Sequence, residues 1–304
     1  MRNRPSSLRC PTSARRRRRW RLATLTLAAT LTSGAAEAGG TPAWMQSLSA
    51  APVPVHDERA DAVALYSETL LSVQPNGKLR RVERAAFKVL RPDGAARGLV
   101  RVDYGAHSRI TQMRAWSIPA DGKPYEVGDR DVIESALPGL ADGALVSDVR
   151  SRLLKIPAAL PGSIIGYEVE REEQPLLLAD EWSFQDTVAT REARYTLQLP
   201  RGWQYHASWF NHPEVAPVSG GVGLQWTLSD LGAVKLEDDM PPWRGVAGRL
   251  WLTFTPPAGG SDSFSSWRQM GSWYQELTRG RRDASPEIKQ KVAELSAASP
   301  APLT

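Results

Sequence analysis

The sequence has almost no cysteine. Its 304 residues contain one, Cys10, and this residue lies in a stretch that we expect to be removed from the mature protein. A mature chain without a thiol forms no disulfide bond, carries no thiolate nucleophile and offers no sulfur ligand to a metal ion. The composition therefore excludes thiol chemistry from the mature chain.

Long apolar runs are also missing. The apolar run Leu22–Leu31 is interrupted by three threonines, and its roughly ten residues fall short of the ~20 that span a bilayer. It follows the basic run Arg15–Arg21 and precedes a small-residue pattern, which is the layout of a secretory signal in residues 1–38. We therefore expect no stable membrane span.

The small-residue pattern is Ala36-Glu37-Ala38, an A-x-A cleavage site. It predicts cleavage between Ala38 and Gly39, which would make the protein periplasmic or otherwise exported. Export through a twin-arginine signal at Arg18-Arg19 stays open.

Basic charge is scarce outside this leader. The formal net charge is +5, but residues 1–38 hold nine arginines and one acid, so the remainder carries 5 − 8 = −3. A mildly acidic remainder has no basic face that would suit nucleic acid. We expect no nucleic-acid partner.

What the sequence does contain is alternating apolar residues in short segments. Three segments follow one another, in 163–172, 181–185 and 193–199, and Gln74-Pro75-Asn76-Gly77 joins two more as a hairpin. About ten such segments separated by turn residues indicate a mainly β protein. We predict an extended lead-in over 39–61 and a large antiparallel β-sandwich over 62–258.

The pattern changes to helical spacing after residue 258. Trp267, Met270, either Trp273 or Tyr274, and Leu277 recur at steps of three and four, which indicates an amphipathic helix. Ser285-Pro286 is a helix start signal for a second helix. We predict a tail of two α-helices over 262–298.

Tryptophan is abundant, with ten residues outside the leader. A row of exposed tryptophans would suit sugar rings or peptide side chains, and the candidate platform consists of Trp209, Trp243 and Trp251. Because most tryptophans occupy inward positions of alternating strands, a two-sheet core explains them better. Trp251 is the main exception, since Leu250 and Leu252 claim the opposite face.

No motif predicts a catalyst, a cofactor or a metal site. His206 and His212 do not have a usual zinc spacing, and Asp129 with Asp131 lacks the spaced ligands of a calcium loop. Gly162–Gly166 is not the nucleophile elbow of a hydrolase. We therefore expect no enzyme activity from this chain.

Four segments together resemble a known family. They are RITQMRAWSIPADGK from Arg109, LPGSIIGYEVE at 160–170, EWSFQDTVATREARYTLQLPRG at 181–202 and SWRQMGSWYQELT at 266–278. In this order they resemble the N-terminal β-domain, a domain of unknown function, that precedes the transglutaminase-like (papain-fold) domain of bacterial exported proteins. The similarity covers residues 64 to 304.

The resemblance implies a non-catalytic role. Catalysis in that family is expected from a Cys-His-Asp set in the following domain, and no residue of this chain matches that cysteine. Because Thr304 lies where the catalytic domain would begin, we expect either a fragment or a gene product truncated at the domain edge. We predict an accessory or scaffold domain whose partner is a transglutaminase-like domain, absent here in cis or acting in trans.

A second hypothesis belongs to a different class of protein. An exported binding module could recognise a cell-wall glycan or peptide through exposed tryptophans. Burial of all ten tryptophans outside the leader would exclude it.

Overall fold

A computed structural model describes residues 40–136, 149–257, 266–281 and 283–298. The chain is mainly β, as predicted, with helices at its C-terminal end. The predicted cleavage site at Ala36, Ala38 and Gly39 lies outside the described residues. None of the helices in the described ranges is long and apolar enough to cross a membrane.

Eight strands form one large sheet, in the order β12-β13-β10-β1-β2-β8-β4-β5. Their bounds are β1 Ala62–Val73, β2 Leu79–Val89, β4 Ser108–Ile118, β5 Tyr125–Gly128, β8 Ile164–Glu173, β10 Thr190–Gln198, β12 Val218–Gly220 and β13 Gly223–Leu231.

Six further strands form two sheets of three strands each. The first, sheet B, has the order β3-β7-β6, and the second, sheet C, has the order β11-β14-β9. Their bounds are β3 Leu99–Tyr104, β6 Ile133–Ala136, β7 Arg150–Lys155, β9 Ala179–Ser183, β11 Gln204–Phe210 and β14 Arg249–Thr255.

The predicted hairpin is the centre of the large sheet. β1 and β2 pair antiparallel from Ala62 with Val89 to Val73 with Leu79. Gly77 in the connecting turn has φ +81°, a conformation that glycine adopts at little cost. The turn chemistry that the sequence predicted is therefore confirmed.

One pairing differs from the antiparallel prediction. β1 pairs with β10 in parallel, with Ser67 opposite Ala193 and Leu71 opposite Leu197, so the large sheet is mixed. Strands that are far apart in sequence can meet in either direction, and local alternation does not determine which.

Both small sheets pack on the same face of the large sheet. Sheet C covers β1, β10 and β13 through a core that includes Tyr195, Trp226, Leu250 and Phe254. Sheet B covers β2, β8 and β4 through a second core that includes Val100, Leu154 and Ile165. The predicted sandwich therefore has one continuous layer facing a layer divided in two.

A short N-terminal segment covers part of the opposite face. Helix α1 (Ala43–Gln46) and a 3-10 turn at Ser47–Ala50 place Met45 and Leu48 against Ala86 and Trp116. Gly166 makes this possible, because a Cβ there would come within 2.9 Å of the Ala85 carbonyl oxygen and 3.1 Å of the Met45 sulfur.

Three further α-helices lie in the described residues. Helix α2 is one turn at Trp243–Val246, and α3 (Trp267–Leu277) and α4 (Pro286–Ala298) are the two predicted C-terminal helices. The predicted start signal at Ser285 is confirmed, since its Oγ accepts a hydrogen bond from the Ile288 amide at 3.3 Å. Ser266 Oγ accepts the corresponding bond from the Gln269 amide at the start of α3, also at 3.3 Å.

Candidate functional site

The division of the second layer leaves a cleft between sheets B and C, which we call the inter-sheet cleft. Its volume is 420 Å³. β1, β2 and β8 form its floor, β3 of sheet B forms one wall, and β9 of sheet C with α2 forms the other. Its lining residues include Ser67, Arg81, Glu83, Arg101, Asp103, Tyr167, Arg171, Glu181, Ser183, Trp243 and Arg244.

A cluster of charged side chains lies in and beside the floor, and we call it the floor cluster. It joins two arginines on β2 and β8 to three acids and a tyrosine, namely Arg81, Arg171, Glu83, Glu173, Asp180 and Tyr195. Five of these residues are charged, and Tyr195 also belongs to the core under sheet C. The floor is therefore polar where the two cores are apolar.

Arg81 and Asp180 form the buried centre of the floor cluster. Their side chains are 8% and 7% exposed, and an Arg81 Nη donates to Asp180 Oδ1. The Tyr195 hydroxyl donates to Asp180 Oδ2 at 2.6 Å. Both carboxylate oxygens of Asp180 are thus satisfied, which burial of a charge requires.

The rest of the floor cluster consists of four ion pairs that join Arg81 and Arg171 to Glu83 and Glu173. Arg81 lies 3.9 Å from Glu83 and 3.8 Å from Glu173, and Arg171 lies 3.4 Å from Glu83 and 2.8 Å from Glu173. Two guanidinium groups thus face three carboxylates when Asp180 is included.

Burial raises the pKa of the two tyrosines in this region. Burial raises the pKa of Tyr195 well above its ordinary value, and the adjacent Asp180 carboxylate raises it further. The pKa of Tyr167 is also raised by burial, with a contribution from Glu83. Neither hydroxyl supplies a phenolate at neutral pH, so both act as neutral hydrogen-bonding groups.

The alternation of residues along β2 is a sequence signal for the floor cluster. Arg81 and Glu83 precede Ala85 and Phe87 at a period of two, so they lie on the face that the small sheets cover. Because β2 also carries charged residues on its other face, the sequence did not predict that Arg81 is buried.

That other face carries a second network, which we call the charge ladder. It runs across five adjacent strands at matching register, in the order Arg194, Glu68, Arg84, Glu168 and Arg114. The distances between consecutive members, measured from guanidinium nitrogen to carboxylate oxygen, are 4.0, 2.9, 2.6 and 2.7 Å.

Glu168 is the most buried member of the charge ladder. Burial raises its pKa, but hydrogen bonds from Arg114 and Arg84 lower it by more, so the pKa of Glu168 lies below its ordinary value. Glu168 is therefore ionised throughout the neutral range, and the ladder alternates in sign along its whole length.

The two C-terminal helices present apolar side chains to solvent. The exposed fractions range from 39% to 86% for Trp267, Tyr274, Leu277, Ile288, Val292 and Leu295. Every residue of α4 from 286 to 297 is exposed. Within the described part of the chain, no apolar layer covers the stripe of Ile288, Val292 and Leu295.

The structure separates the three tryptophans of the predicted platform. Trp209 lies on the inner face of sheet C, where its ring is 5.6 Å from that of Phe184. Trp251, which pairs with Ser208 of β11, points to the outer face and is 38% exposed. Trp243 lies in α2 at the inter-sheet cleft, with the Arg244 guanidinium 4.8 Å above its ring.

The predicted turn acids and histidines have local partners. Asp129 accepts a hydrogen bond from the Met113 amide and Asp131 accepts one from the Gly128 amide, both at 2.9 Å. The His206 ring lies 3.3 Å from Ser208 Oγ, and the His212 ring packs 5.0 Å from Phe184. Across the described ranges there is no group of three or more side chains that could hold a metal ion.

Comparison with known families gives one match. Residues 75–235, slightly more than half of the chain, match the family described as "Domain of Unknown Function with solved-structure structure (DUF3857)". The match covers most of the large sheet, all of sheet B, and strands β9 and β11 of sheet C. No curated protein matches the sequence at a significant level.

Comparison with solved structures supports the fold. A crystal structure of a "putative protease" from Parabacteroides distasonis ATCC 8503 superposes with a TM-score of 0.56 at 15% identity, covering 72% of this chain and 47% of that one. The chain therefore spans about half of the length of that protein. At this identity the similarity establishes the fold alone.

Two other solved structures are less similar. A leukotriene A4 hydrolase from yeast gives a TM-score of 0.34 at 10% identity, covering 65% of this chain and 32% of that one. An M1 zinc metallopeptidase from Deinococcus radiodurans gives 0.33 at 9% identity, covering 65% and 43%. Similarity at this level supports no functional inference.

Proposed function

Since this chain belongs to the DUF3857 family, we propose that it is a non-catalytic accessory module of an exported protein, acting beside a transglutaminase-like domain. In this proposal the sandwich is a rigid scaffold and the C-terminal helices dock on, or lead into, the catalytic domain. The transglutaminase-like partner is proposed because the motifs between Arg109 and Thr278 resemble the β-domain that precedes such a domain in bacterial exported proteins.

One observation carries the proposal, namely the uncovered apolar stripes on α3 and α4. An amphipathic helix gains little stability in water unless its apolar face is buried. Trp267 and Leu295 are 86% and 61% exposed, so the sandwich does not provide that burial. A neighbouring domain that covers these faces would supply it.

The absence of thiol supports the non-catalytic part of the proposal. No cysteine follows Cys10, so a thiolate mechanism would have to come from another domain or another chain. The Arg81 guanidinium, the Asp180 carboxylate and the Tyr195 hydroxyl are hydrogen-bonded to one another. Such a buried network favours a structural role for its three members.

Export is the remaining part of the proposal. It rests on the leader pattern in residues 1–38 and predicts that the mature protein begins at Gly39. N-terminal sequencing of protein recovered from the periplasm of an expressing bacterium would check this. A protein that keeps Met1 or stays in the cytoplasm would contradict it.

The docking experiment uses a transglutaminase-like domain encoded in frame after codon 304 or in an adjacent gene. We expect it to bind the full chain, and we expect Trp267→Ser with Leu295→Ser to weaken binding at least tenfold, about 1.4 kcal/mol. Isothermal titration calorimetry measures the difference. Arg268→Ser with Lys291→Ser is the matched control, because it changes polar residues of the same two helices.

Two outcomes would contradict the proposal. The first is that no such domain is encoded nearby, or that it binds both variants with equal affinity. The second is that the purified chain, freed of its leader and treated with iodoacetamide, incorporates an amine into casein or hydrolyses a nitrophenyl ester.

The second candidate function is ligand binding by exposed tryptophans. Trp251 and Trp243 favour it, because one is 38% exposed on the outer face of sheet C and the other lines the inter-sheet cleft. Trp209, by contrast, lies on the inner face of sheet C. A shift of tryptophan fluorescence with soluble peptidoglycan peptides or chitooligosaccharides, lost in Trp251→Ala, would support it.

A further inference from the structure

The two walls of the inter-sheet cleft are the open edges of two different sheets. β3 is the last strand of sheet B on one side, and β9 is the last strand of sheet C on the other. Residues from both strands line the same 420 Å³ space. An edge strand presents main-chain donors and acceptors that can pair with another strand.

The register identifies which groups of β3 are directed into the cleft. The Ile156 amide donates to the Gly98 carbonyl at 2.8 Å, and the pairing continues with Val100 opposite Leu154. Since hydrogen-bonding directions alternate along a strand, the even-numbered residues of β3 face β7. Arg101 and Asp103 therefore direct their N–H and C=O groups away from sheet B.

The same reasoning applies to β9. The Phe184 amide donates to the Gly248 carbonyl at 3.3 Å, and Trp182 lies opposite Leu250. The even-numbered residues of β9 thus face β14, and Glu181 and Ser183 direct their main-chain groups outward. Within the described residues, no main-chain hydrogen bond is recorded for these two residues on that side.

The size and floor of the cleft suit an extended peptide. A residue of a packed strand occupies roughly 3.3 Å by 4.8 Å by 10 Å, or about 160 Å³, so the cleft holds about three residues. The floor includes Glu83, Arg171 and Tyr167, and such a floor favours polar side chains over large apolar ones.

We propose that the inter-sheet cleft binds one extended segment of another polypeptide as an added β-strand along the edge of β3 or β9. Affinity would come from the main chain, as in other cases of β-strand addition. Selectivity would come from the alternate side chains that point to the polar floor. This proposal does not depend on the docking of the C-terminal helices.

The experiment selects binders from a phage library of random ten-residue peptides against the full immobilised chain. The affinity of the best enriched peptide, made synthetically, is then measured by fluorescence anisotropy. Ser183→Pro and Arg101→Pro each remove one outward N–H without removing a ladder hydrogen bond. We expect at least one of them to weaken binding tenfold or more.

The matched control is Ala207→Pro. Ala207 lies on β11, the opposite edge of sheet C, and β14 pairs with β11 through its odd-numbered residues, so the Ala207 amide also points outward. This variant removes the same kind of donor outside the cleft. We expect it to change the affinity less than twofold.

A second measurement covers the case in which a proline variant does not fold. Hydrogen exchange of the wild-type chain with the selected peptide should slow at the amides of Arg101 and Asp103 or of Glu181 and Ser183. Failure to enrich any peptide over a support without protein would overturn the proposal. Binding that leaves all four amides unprotected would overturn it as well.

Discussion

The two faces of the large sheet carry charge networks that differ in environment although they use the same strands. β2 contributes Arg81 to the floor cluster and Arg84 to the charge ladder. The Arg81 side chain is 8% exposed and pairs with a buried aspartate from sheet C, whereas Arg84 is 33% exposed. The small sheets cover the floor cluster, whereas the three arginines of the charge ladder are each about one-third exposed.

This difference should give the two networks different energetic roles. An ion pair removed from water is costly to break, because the remaining partner is left buried and unpaired. A pair that water can reach loses little when one member is removed. We therefore expect mutations to have graded effects across the three cases below.

Asp180→Leu should have the largest effect. It leaves the Arg81 guanidinium and the Tyr195 hydroxyl without their shared acceptor, and we expect the free energy of unfolding to fall by about 3–5 kcal/mol. Urea denaturation monitored by circular dichroism measures the change. The double variant Arg81→Met with Asp180→Leu should recover much of the loss, since it removes both charges. If Asp180→Leu lowers the free energy of unfolding by less than about 1 kcal/mol, the two networks do not differ in energetic role.

Glu168→Gln should have an intermediate effect of about 1–2 kcal/mol, because Arg84 and Arg114 lose a charged acceptor but stay about one-third exposed. The effect should depend on pH. The pKa of Glu168 is lowered on folding from 4.5, so its contribution is complete above pH 4.5 and is lost as the pH falls through the folded-state pKa. The difference between wild type and variant should thus shrink from pH 7 to pH 3. A constant difference would contradict this assignment.

Arg80→Gln should have the smallest effect. Arg80 is 51% exposed and pairs with Glu170 at 2.8 Å on the same face as the charge ladder. Exposed pairs of this kind contribute about 0–1 kcal/mol, so the melting temperature should change by no more than a few degrees. If Arg80→Gln destabilised the protein as much as Asp180→Leu, exposure would not determine how much an ion pair contributes to stability.

The elements that the sequence predicted best are those with strong local signals. The hairpin turn at Asn76-Gly77 and the helix start at Ser285-Pro286 depend on the conformations that these residues prefer. The inward residues Leu250, Leu252 and Phe254 of β14 followed from alternation. Each of these features is decided by a few neighbouring residues, and it can therefore be predicted from one sequence.

The candidate site depends on contacts that no local signal specifies. The inter-sheet cleft exists because the second layer divides into sheets B and C, and its walls are edges only because of the strand order. Arg81 is buried because Asp180, 99 residues away, is placed above it by sheet C. Alternation of apolar residues gives no signal for such a pair, because charged residues of a strand usually face solvent.

The amino-acid sequence alone determined that this chain is mainly β with a helical tail, because the period of the apolar residues sets the type of each element. It also determined that no thiol follows Cys10. The tertiary structure decided that β1 and β10 run parallel, which charges are buried, and which strand edges face each other. Those features depend on pairing between distant segments, where the free energy comes from burial shared by many residues rather than from the preference of any one.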